Sequence, residues 1–298
     1  MEIAIISGKG GTGKSTISAA FASMTDKVVL ADCDVDTANM YILFKPTIEE
    51  EKIYIAGQKA VIDYSLCTSC GLCERYCRFS AIKTEKGKTV IEEISCDGCQ
   101  LCFHVCPVKA ISMVNNDKSR MYSGSFRNGK MVYGRLAPGE ENSGKLVNLV
   151  REKAKHLAKI NNIDTVLIDG PPGIGCPVIS SITGVDAVII VTEPTISGLE
   201  DLKRAMQTAD IFGIKTFVII NKYDINENMT GKIENYCKSA NVTIAGKLFF
   251  DPDVVTAMIN CISIYEHDPN SLNCKILTNI WKNINSLKKY SQNHQCLF

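Results

Sequence analysis

The sequence lacks any apolar run approaching the roughly 20 residues of a membrane-spanning helix. It also lacks an excess of either charge, because 33 lysines and arginines balance 32 aspartates and glutamates. That balance gives no electrostatic reason to bind nucleic acid or an anionic membrane. The first residues, MEIAIIS, have no basic segment and no long apolar one, so they predict no secretory signal. We therefore expect a cytoplasmic protein with neither nucleic acid nor membrane as its partner.

Cysteine, in contrast, is abundant, with 14 residues in a chain of 298. In a cytosolic protein these cysteines are better explained as metal ligands or buried thiols than as disulfides. The rest of the composition, 45% hydrophobic and 22% charged, is that of a globular protein. The length suffices for one large core or two domains.

Short apolar runs alternate with helix-length stretches along most of the chain. The runs are EIAIIS, KVVLAD, DTVLIDG, DAVIIVTE, KTFVIINK and VTIAGKLFF, and helices are predicted over 143–160, 197–212 and 228–240. This alternation predicts an α/β fold with a mainly parallel sheet and helices on both faces. The C-terminal SLNCKILTNIWKNINSLKKY predicts an amphipathic helix on that sheet, with a membrane-surface helix as the alternative.

A phosphate-binding pattern, GKGGTGKST, follows the first predicted strand and opens a helix. Backbone N–H groups of such a loop face phosphates, and the helix N-terminus favours their charge. We expect Lys14 to reach the β- and γ-phosphates, Ser15 to bind Mg²⁺ and Thr16 to contact the α-phosphate. The predicted nucleotide-binding loop residues are Gly8, Lys9, Gly10, Gly11, Thr12, Gly13, Lys14, Ser15 and Thr16.

Carboxylates follow two of the predicted strands. Asp32, Asp34 and Asp36 end one strand, and Asp169 ends another before a Pro-Pro-Gly turn. The carboxyl ends of parallel strands form the ligand edge of such a sheet. Asp169 is predicted to hold Mg²⁺ or its water and Asp34 to orient the attacking water. A solvated acidic loop or a helix cap is the alternative for the 32–36 group.

Eight cysteines fall within 40 residues as two runs of the pattern C-x2-C-x2-C-x3-C. This doubled pattern is that of bacterial ferredoxins with two 4Fe–4S clusters, in which the fourth cysteine of each run ligates the other cluster. Zinc is the alternative for paired C-x2-C motifs. The predicted ligands are Cys67, Cys70, Cys73 and Cys106 for cluster one, and Cys96, Cys99, Cys102 and Cys77 for cluster two. The proline usual after the fourth cysteine is replaced by Arg78.

The cysteine runs interrupt the strand–helix rhythm, which indicates an inserted domain. We predict a first part of a P-loop domain over 1–56, an inserted bacterial-type ferredoxin domain over 57–114, and the second part over 115–298. Residues 118–136 predict a β-hairpin with a type I′ turn at Asn128-Gly129. Outside the insert, most of the six remaining cysteines are predicted to be buried: Cys33, Cys176, Cys237, Cys261, Cys274 and Cys296.

The loop KGGTGKST resembles the deviant Walker A motif of the MinD/Mrp class of P-loop ATPases, which includes the nitrogenase iron protein. ADCDVD and DGPPG resemble the switch I and switch II of that family, and the resemblance covers about 1–45 and 143–260. It implies that Lys9 reaches the partner's phosphates in an ATP-dependent homodimer; a solvated loop lysine is the alternative. Cys176 is placed like a cluster-ligating cysteine of the nitrogenase iron protein, with a structural thiol as the alternative.

The segment INKYD bears on which nucleotide is bound. Asn221 and Asp224 match the guanine-reading pattern of Ras-like GTPases, whereas the resemblance to the MinD class implies that Asn221 reads adenine. We favour ATP and predict that Asn221 and Asp224 contact the base.

Together these motifs predict an ATPase that uses Mg²⁺ and two 4Fe–4S clusters. Its catalytic residues are predicted to be Lys9, Lys14, Asp34 and Asp169. Nucleotide-driven dimer closure is predicted to be coupled to electron transfer with an unidentified redox partner protein. The alternative is an iron–sulfur cluster assembly or carrier ATPase of the Mrp type, although the C-terminal C-x-x-C of such scaffolds is missing. A positioning ATPase is disfavoured by the predicted insert and the balanced charge.

Overall fold

The computed structural model describes residues 1–140 and 143–286. It divides into two units, each described here by itself. The sheet unit comprises Met1–Glu50, Tyr122–Gly134 and the chain from Gly144 onward. The cysteine unit comprises Glu51–Met121 and Arg135–Ser143. The predicted insert, 57–114, lies within the cysteine unit, which is longer at both ends and includes a separate second segment.

Thirteen strands lie in the described residues. They are β1 (Glu2–Ser7), β2 (Val28–Asp32), β3 (Thr47–Tyr54), β4 (Gln58–Ile62), β5 (Ile82–Glu85), β6 (Lys88–Ile91), β7 (Ile111–Asn115), β8 (Ser119–Phe126), β9 (Gly129–Arg135), β10 (Val166–Pro172), β11 (Ala187–Thr192), β12 (Lys215–Ile220) and β13 (Thr243–Lys247).

The helices of the same ranges vary from four to 18 residues. They are α1 (Lys14–Ser23), α2 (Met40–Phe44), α3 (Leu72–Tyr76), α4 (Leu101–Val105), α5 (Ser143–Ile160), α6 (Cys176–Ile182), α7 (Ile196–Ile211), α8 (Glu227–Ser239), α9 (Asp253–Ile259), α10 (Ile264–His267) and α11 (Leu272–Asn285), with a 3₁₀ turn at Tyr223–Ile225. None of these helices is both long and apolar enough to cross a membrane.

The main sheet has nine strands in the order β13-β12-β11-β1-β10-β2-β9-β8-β3. The six predicted strands are adjacent in it and pair in parallel, as does β9 with β2. Every residue of β2 and β11 is buried, so both faces of the sheet are covered. The predicted α/β fold with a mainly parallel sheet is confirmed.

Helices α1 and α11 pack on one face of the sheet around an aromatic contact. The rings of Phe21 and Trp281 stack with their centroids 4.7 Å apart. In α11 the residues Leu277, Ile280 and Ile284 are also buried, as a core-facing amphipathic helix requires. The core-facing interpretation is confirmed for the described part, and residues 287–290 of the predicted helix lie outside the described residues.

The hairpin predicted over 118–136 is formed by β8 and β9, but the predicted turn is wrong. The connecting residues are Arg127 and Asn128, neither of which has the positive φ that a type I′ turn needs. The amide of Asn128 instead donates to the carbonyls of Ser23 and Thr25, both at 3.2 Å. Gly129 has φ 151°, and a Cβ there would lie 2.1 Å from the carbonyl oxygen of Val28.

Strands β3 and β8 are neighbours at the edge of the sheet. The chain leaves the sheet unit within β3, between Glu50 and Glu51, and returns to it within β8, between Met121 and Tyr122. An ideal Cβ on Gly124 would lie 2.0 Å from the carbonyl oxygen of Thr47, so the two strands run in close contact.

The cysteine unit has two antiparallel strand pairs and two five-residue helices. β4 pairs with β7, from Gln58 opposite Asn115 to Ile62 opposite Ile111, and β5 pairs with β6. Its core contains five buried residues, Ala60, Ile62, Ala81, Cys96 and Ile111, with partly buried cysteines packed against them. So small an apolar core provides little stabilisation from burial alone.

Candidate functional site

The phosphate loop connects β1 to α1 and is held in place by the side chain of Asn221, which immediately follows β12. Gly11 and Gly13 have φ values of 82° and 92°, which only glycine adopts without strain. The Asn221 amide donates to the Thr12 carbonyl at 2.8 Å, and a Cβ on Gly13 would lie 2.3 Å from that amide nitrogen. Glycine at position 13 therefore makes room for the side chain that fixes the loop.

A cavity of about 1340 Å³, counting space open to solvent, lies beside this loop. It is lined on the loop side by Gly10, Gly11, Thr12, Gly13, Lys14, Ser15 and Thr16, and also by Asp34 and Asn221. Phe249, Phe250 and Asn273 contribute to the rest of the wall. A glycine-rich loop, two lysines (Lys14 and Lys222) and aromatic edges are a combination suited to a nucleotide.

Lys14 lies at the start of α1 and is almost fully buried, with 6% of its surface exposed. Its Nζ lies 3.0 Å from Asp169 and 3.8 Å from Asp34. Burial by itself lowers the pKa of Lys14, but attraction to Asp169 and Asp34 outweighs it and the pKa stands above its ordinary value. The ammonium is therefore charged and ready for an anion.

Asp169 lies in the middle of β10 and is fully buried, and the register sets it opposite Asp32, the last residue of β2. It accepts hydrogen bonds from Ser15 Oγ at 2.8 Å and Ser18 Oγ at 2.7 Å. The Ser15 hydroxyl and the Asp169 carboxylate thus converge as oxygen ligands of the kind Mg²⁺ prefers. Sequence analysis missed Ser18, although its position four residues after Lys14 places both on one face of α1.

The three acids of the 32–36 segment differ in what they contact. Asp32 is fully buried and accepts from the backbone N–H groups of Asp34, Asn39 and Met40 at 3.1–3.2 Å. Burial, and then the charge of Asp169, raise the pKa of Asp32 to about 7. Asp32 therefore fixes the loop that follows β2.

Asp34 is the member of this segment that lines the nucleotide-sized cavity. Its carboxylate accepts from Thr37 Oγ1 at 2.9 Å. Asp36 is exposed and is not among the residues described as lining that cavity. Burial, and then repulsion by Asp34, raise its pKa.

Lys9 is engaged within its own chain. Its Nζ lies 2.6 Å from Glu193 Oε1 and donates to Ser197 Oγ at 3.2 Å. Glu193 follows β11, and its other oxygen lies 3.5 Å from Lys222 Nζ. No motif in the sequence points to Glu193, although it comes immediately after the parallel strand β11, and Asp32 is the last residue of β2. Lys9 is not among the residues that line the cavity, and its action across a dimer stays a prediction.

The two residues predicted to contact the base are both bonded to backbone. Asn221 donates to Thr12 and accepts from the N–H of Lys222 at 3.0 Å. The Asp224 carboxylate accepts from the N–H of Phe250 at 2.7 Å, and Asp224 is not among the described residues that line the cavity. The geometry gives Asp224 a role in holding the Phe250 loop, and base recognition by either side chain stays a prediction.

The eight cysteines of the cysteine unit surround two further cavities. One, of about 330 Å³ counting space open to solvent, is lined by Cys67, Cys70, Cys73 and Cys106, which we call the first thiol group. The other, of about 340 Å³ on the same measure, is lined by Cys96, Cys99, Cys102 and Cys77, the second thiol group. Each group takes three cysteines from one run and its fourth from the other.

Several thiols of both groups are partly shielded from water, whereas Cys70 and Cys99 are exposed. Burial raises the pKa of Cys73, and it raises the pKa of Cys102 to about 11. Backbone N–H groups of Ser69 and Ala110 donate to the sulfurs of Cys67 and Cys106 at 3.4 and 3.2 Å. Across residues 1–140 and 143–286, no three His, Cys, Asp or Glu side chains stand close enough to share one metal ion.

The cysteines outside these groups have no common setting. Cys33, Cys237 and Cys274 are buried, as predicted, and Cys261 is half-buried. Cys176 is exposed at the start of α6, so it is not a core residue. Cys296 lies outside the described residues.

Comparisons with known proteins agree with this geometry. The chain is 38% identical over 232 residues to the uncharacterized protein MJ0578 of Methanocaldococcus jannaschii, covering 76% of this chain and 79% of that protein. It is 28% identical over 277 residues to the uncharacterized protein MJ0579 of the same organism, covering 80% and 90%.

Solved structures share the fold at low sequence identity. The septum site-determining protein MinD of Pyrococcus horikoshii, complexed with Mg-ADP, aligns with a TM-score of 0.59 and 19% identity over 96% of each chain. The McdA(D38A)-ATP complex of Cyanothece aligns with a TM-score of 0.57 and 14% identity over 96% of each chain. Residues 3–263 match the CobQ/CobB/MinD/ParA nucleotide-binding domain. With its phosphate loop, buried lysine and strand-end carboxylates, the chain belongs to this family of nucleotide-binding proteins.

Proposed function

We propose that this protein is an Mg²⁺-dependent ATPase that couples ATP-driven closure of a homodimer to electron transfer through two 4Fe–4S clusters. The observation that carries the proposal is the sorting of eight cysteines into two groups of four, each around its own cavity. The nucleotide half rests on the family and on the arrangement of Lys14, Ser15 and Asp169.

Lys14 neutralises the β- and γ-phosphates in this proposal. Because the ammonium is already buried and held at 3.0 Å from Asp169, phosphate binding exchanges one anionic partner for another. The charge is therefore available without a new desolvation cost. Ser15 and Asp169 hold Mg²⁺ directly or through its water. The ligands of the two similar structures, Mg-ADP and ATP, support ATP with magnesium here.

Asp34 orients the attacking water in this mechanism. It lines the cavity from a loop whose backbone is fixed by Asp32. Hydrolysis by P-loop enzymes depends on such positioning and on stabilising the charge of the transferred phosphoryl group. Lys9 supplies part of that stabilisation to the partner's nucleotide once it leaves Glu193, which makes the dimer the hydrolytic form.

The first and second thiol groups hold one 4Fe–4S cluster each in this proposal. Cysteine thiolates are the ligands of such clusters, and three-plus-one exchange between two runs is the ferredoxin arrangement. Clusters of this kind supply one-electron transfer. The electrons are exchanged with a separate redox partner protein.

Anaerobic purification with iron analysis tests the proposal. We expect eight irons and eight inorganic sulfides per chain, and paramagnetic resonance of the dithionite-reduced protein should reveal two interacting clusters. Zinc, or four irons only, would contradict it. Mixing iron-loaded protein with an apo-ferredoxin distinguishes the carrier alternative from electron transfer. A carrier transfers its iron to the apo-ferredoxin, whereas an electron-transfer protein retains it.

A further inference from the structure

A buried lysine contacts the second thiol group from the strand beside it. Lys59 lies on β4 with 7% of its surface exposed. Its Nζ donates to the backbone carbonyl of Cys96 at 2.5 Å and to that of Gly139 at 2.9 Å. Within residues 1–140 and 143–286, no carboxylate oxygen forms an ion pair with it, whereas fourteen other pairs are present. Burying a cation with only carbonyl partners is costly.

Two carboxylates stand further from this ammonium. Asp97 and Glu140 line the same small cavity as Lys59, of about 410 Å³ counting space open to solvent. Asp97 also lines the cavity of the second thiol group, but it is exposed, so water and salt screen its charge. Glu140 accepts a hydrogen bond from Ser119, and its other carboxylate oxygen is buried without a partner. Lys59 differs from both carboxylates because its side chain is buried and donates a hydrogen bond to the backbone carbonyl of Cys96.

No charged residue is among the described residues that line the cavity of the first thiol group. The described residues that line its cavity are apolar or carry hydroxyl groups, among them Ile62, Leu72, Thr68 and Val108. An iron–sulfur cluster with four thiolates is anionic and gains one more negative charge on reduction. A buried cation beside one of two such clusters therefore favours the reduced form of that cluster alone.

We infer that Lys59 is an electrostatic positioning residue that sends the electron to the cluster of the second thiol group. The inference rests on the proposed function, since it requires both clusters. With one electron supplied by a reductant, a cluster held by the second thiol group would be reduced and one held by the first thiol group would stay oxidised.

A redox titration of the iron-loaded full chain tests this inference. Dithionite is the reductant, and paramagnetic resonance monitors the reduction of each cluster. Lys59→Met should lower the midpoint of the second cluster only, so that the ratio of reduced second to reduced first cluster falls about tenfold, or about 59 mV. Lys59→Arg keeps the charge and should keep most of the ratio. Cys99→Ser identifies the second cluster, because it alters a ligand of that group alone.

Lys109→Met is the matched control, since Lys109 is exposed, three residues from Cys106 of the first thiol group. Screening should limit its effect to less than about twofold. Eight irons per chain with no shift in Lys59→Met, or with an equal shift of both clusters, would overturn the inference and leave the proposed function intact. Iron-free wild-type protein would overturn both. If Lys59→Met loses its iron, the partly reduced wild-type protein provides the test. A paramagnetic resonance signal from the first cluster after one electron is added would overturn the inference.

Discussion

The nucleotide site and the thiol groups represent two ways of preparing a site for its ligand. In the sheet unit the charged groups already neutralise one another, as Lys14 does with Asp169 and Lys9 with Glu193. In the cysteine unit the thiols surround two cavities over a core of five buried residues. The first site can therefore fold without its ligand, whereas under the proposed function the second would gain much of its stability from bound clusters.

Removing iron should give the largest of the predicted effects, and it should destabilise the cysteine unit but not the sheet unit. We expect amides of β4 and β7 in chelator-treated, reduced protein to exchange at least about 100-fold faster, while those of β1 and β10 stay protected. The reason is that the small core loses the groups that bridge its two cysteine runs. Hydrogen-exchange mass spectrometry with and without iron measures this, and ATP should not restore the lost protection. Unchanged exchange in β4 and β7 would remove the contrast between the units.

Replacing Lys14 probes how much of the prepared charge in the sheet unit serves the nucleotide. Lys14→Ala should weaken ATP binding about 100-fold or more, because two or three charge-assisted hydrogen bonds are lost. It should also lower the free energy of unfolding by about 3 kcal/mol, since Asp169 is left buried without its cation. Titration calorimetry and denaturant unfolding measure the two effects. Lys27→Ala, at an exposed position, is the control and should change neither.

Lys9 should separate nucleotide binding from dimer formation. In Lys9→Ala we expect ATP affinity of the monomer within about threefold of wild type, but a dimer dissociation constant raised roughly 100-fold. Light scattering with and without ATP measures the dimer. Lys222→Ala is a close control, because Lys222 shares Glu193 with Lys9 and donates to the Gly11 carbonyl in its own chain. A normal ATP-dependent dimer of Lys9→Ala would show that this lysine does not act across the interface.

Glu193 should give the smallest effect, in the opposite direction. Glu193→Gln weakens the intrachain hold on Lys9, so the ATP-dependent dimer should form at a few-fold lower protein concentration. The Lys9 side chain is 33% exposed, so solvent screening limits the contact to about 0.5–1 kcal/mol. The same light-scattering series measures the shift, and Glu200→Gln, on the exposed face of α7, is the control. Weaker dimerisation would mean that Glu193 supports the interface itself.

The elements most readily predicted were those fixed by period and spacing. The parallel strands were identified because each is a continuous apolar run, and α5 was predicted at its observed bounds of 143–160. Lys14, Ser15 and Asp169 were identified because a phosphate loop and a strand-end carboxylate meet at one sheet edge.

Side chains that bond to distant backbone escaped prediction. Asn128 makes no type I′ turn because its amide is used by the carbonyls of Ser23 and Thr25, more than a hundred residues earlier. The Asp224 carboxylate accepts a hydrogen bond from the N–H of Phe250. Ser18 and Glu193 belong to no short motif, and their roles depend on the packing that brings them to Asp169 and Lys9. Such partners are settled by tertiary structure, which local sequence does not encode.

The adjacency of β3 and β8 has a consequence for how such a chain can arise. The exit and return points are one strand spacing apart, about 4.8 Å, so a tight turn could replace the whole excursion without moving either strand. An ancestor with a plain hairpin there could have acquired the cysteine-rich segment in a single insertion, since ends already held together add little loop-closure entropy. The sheet unit and the cysteine unit could thereafter have diversified independently of each other in sequence.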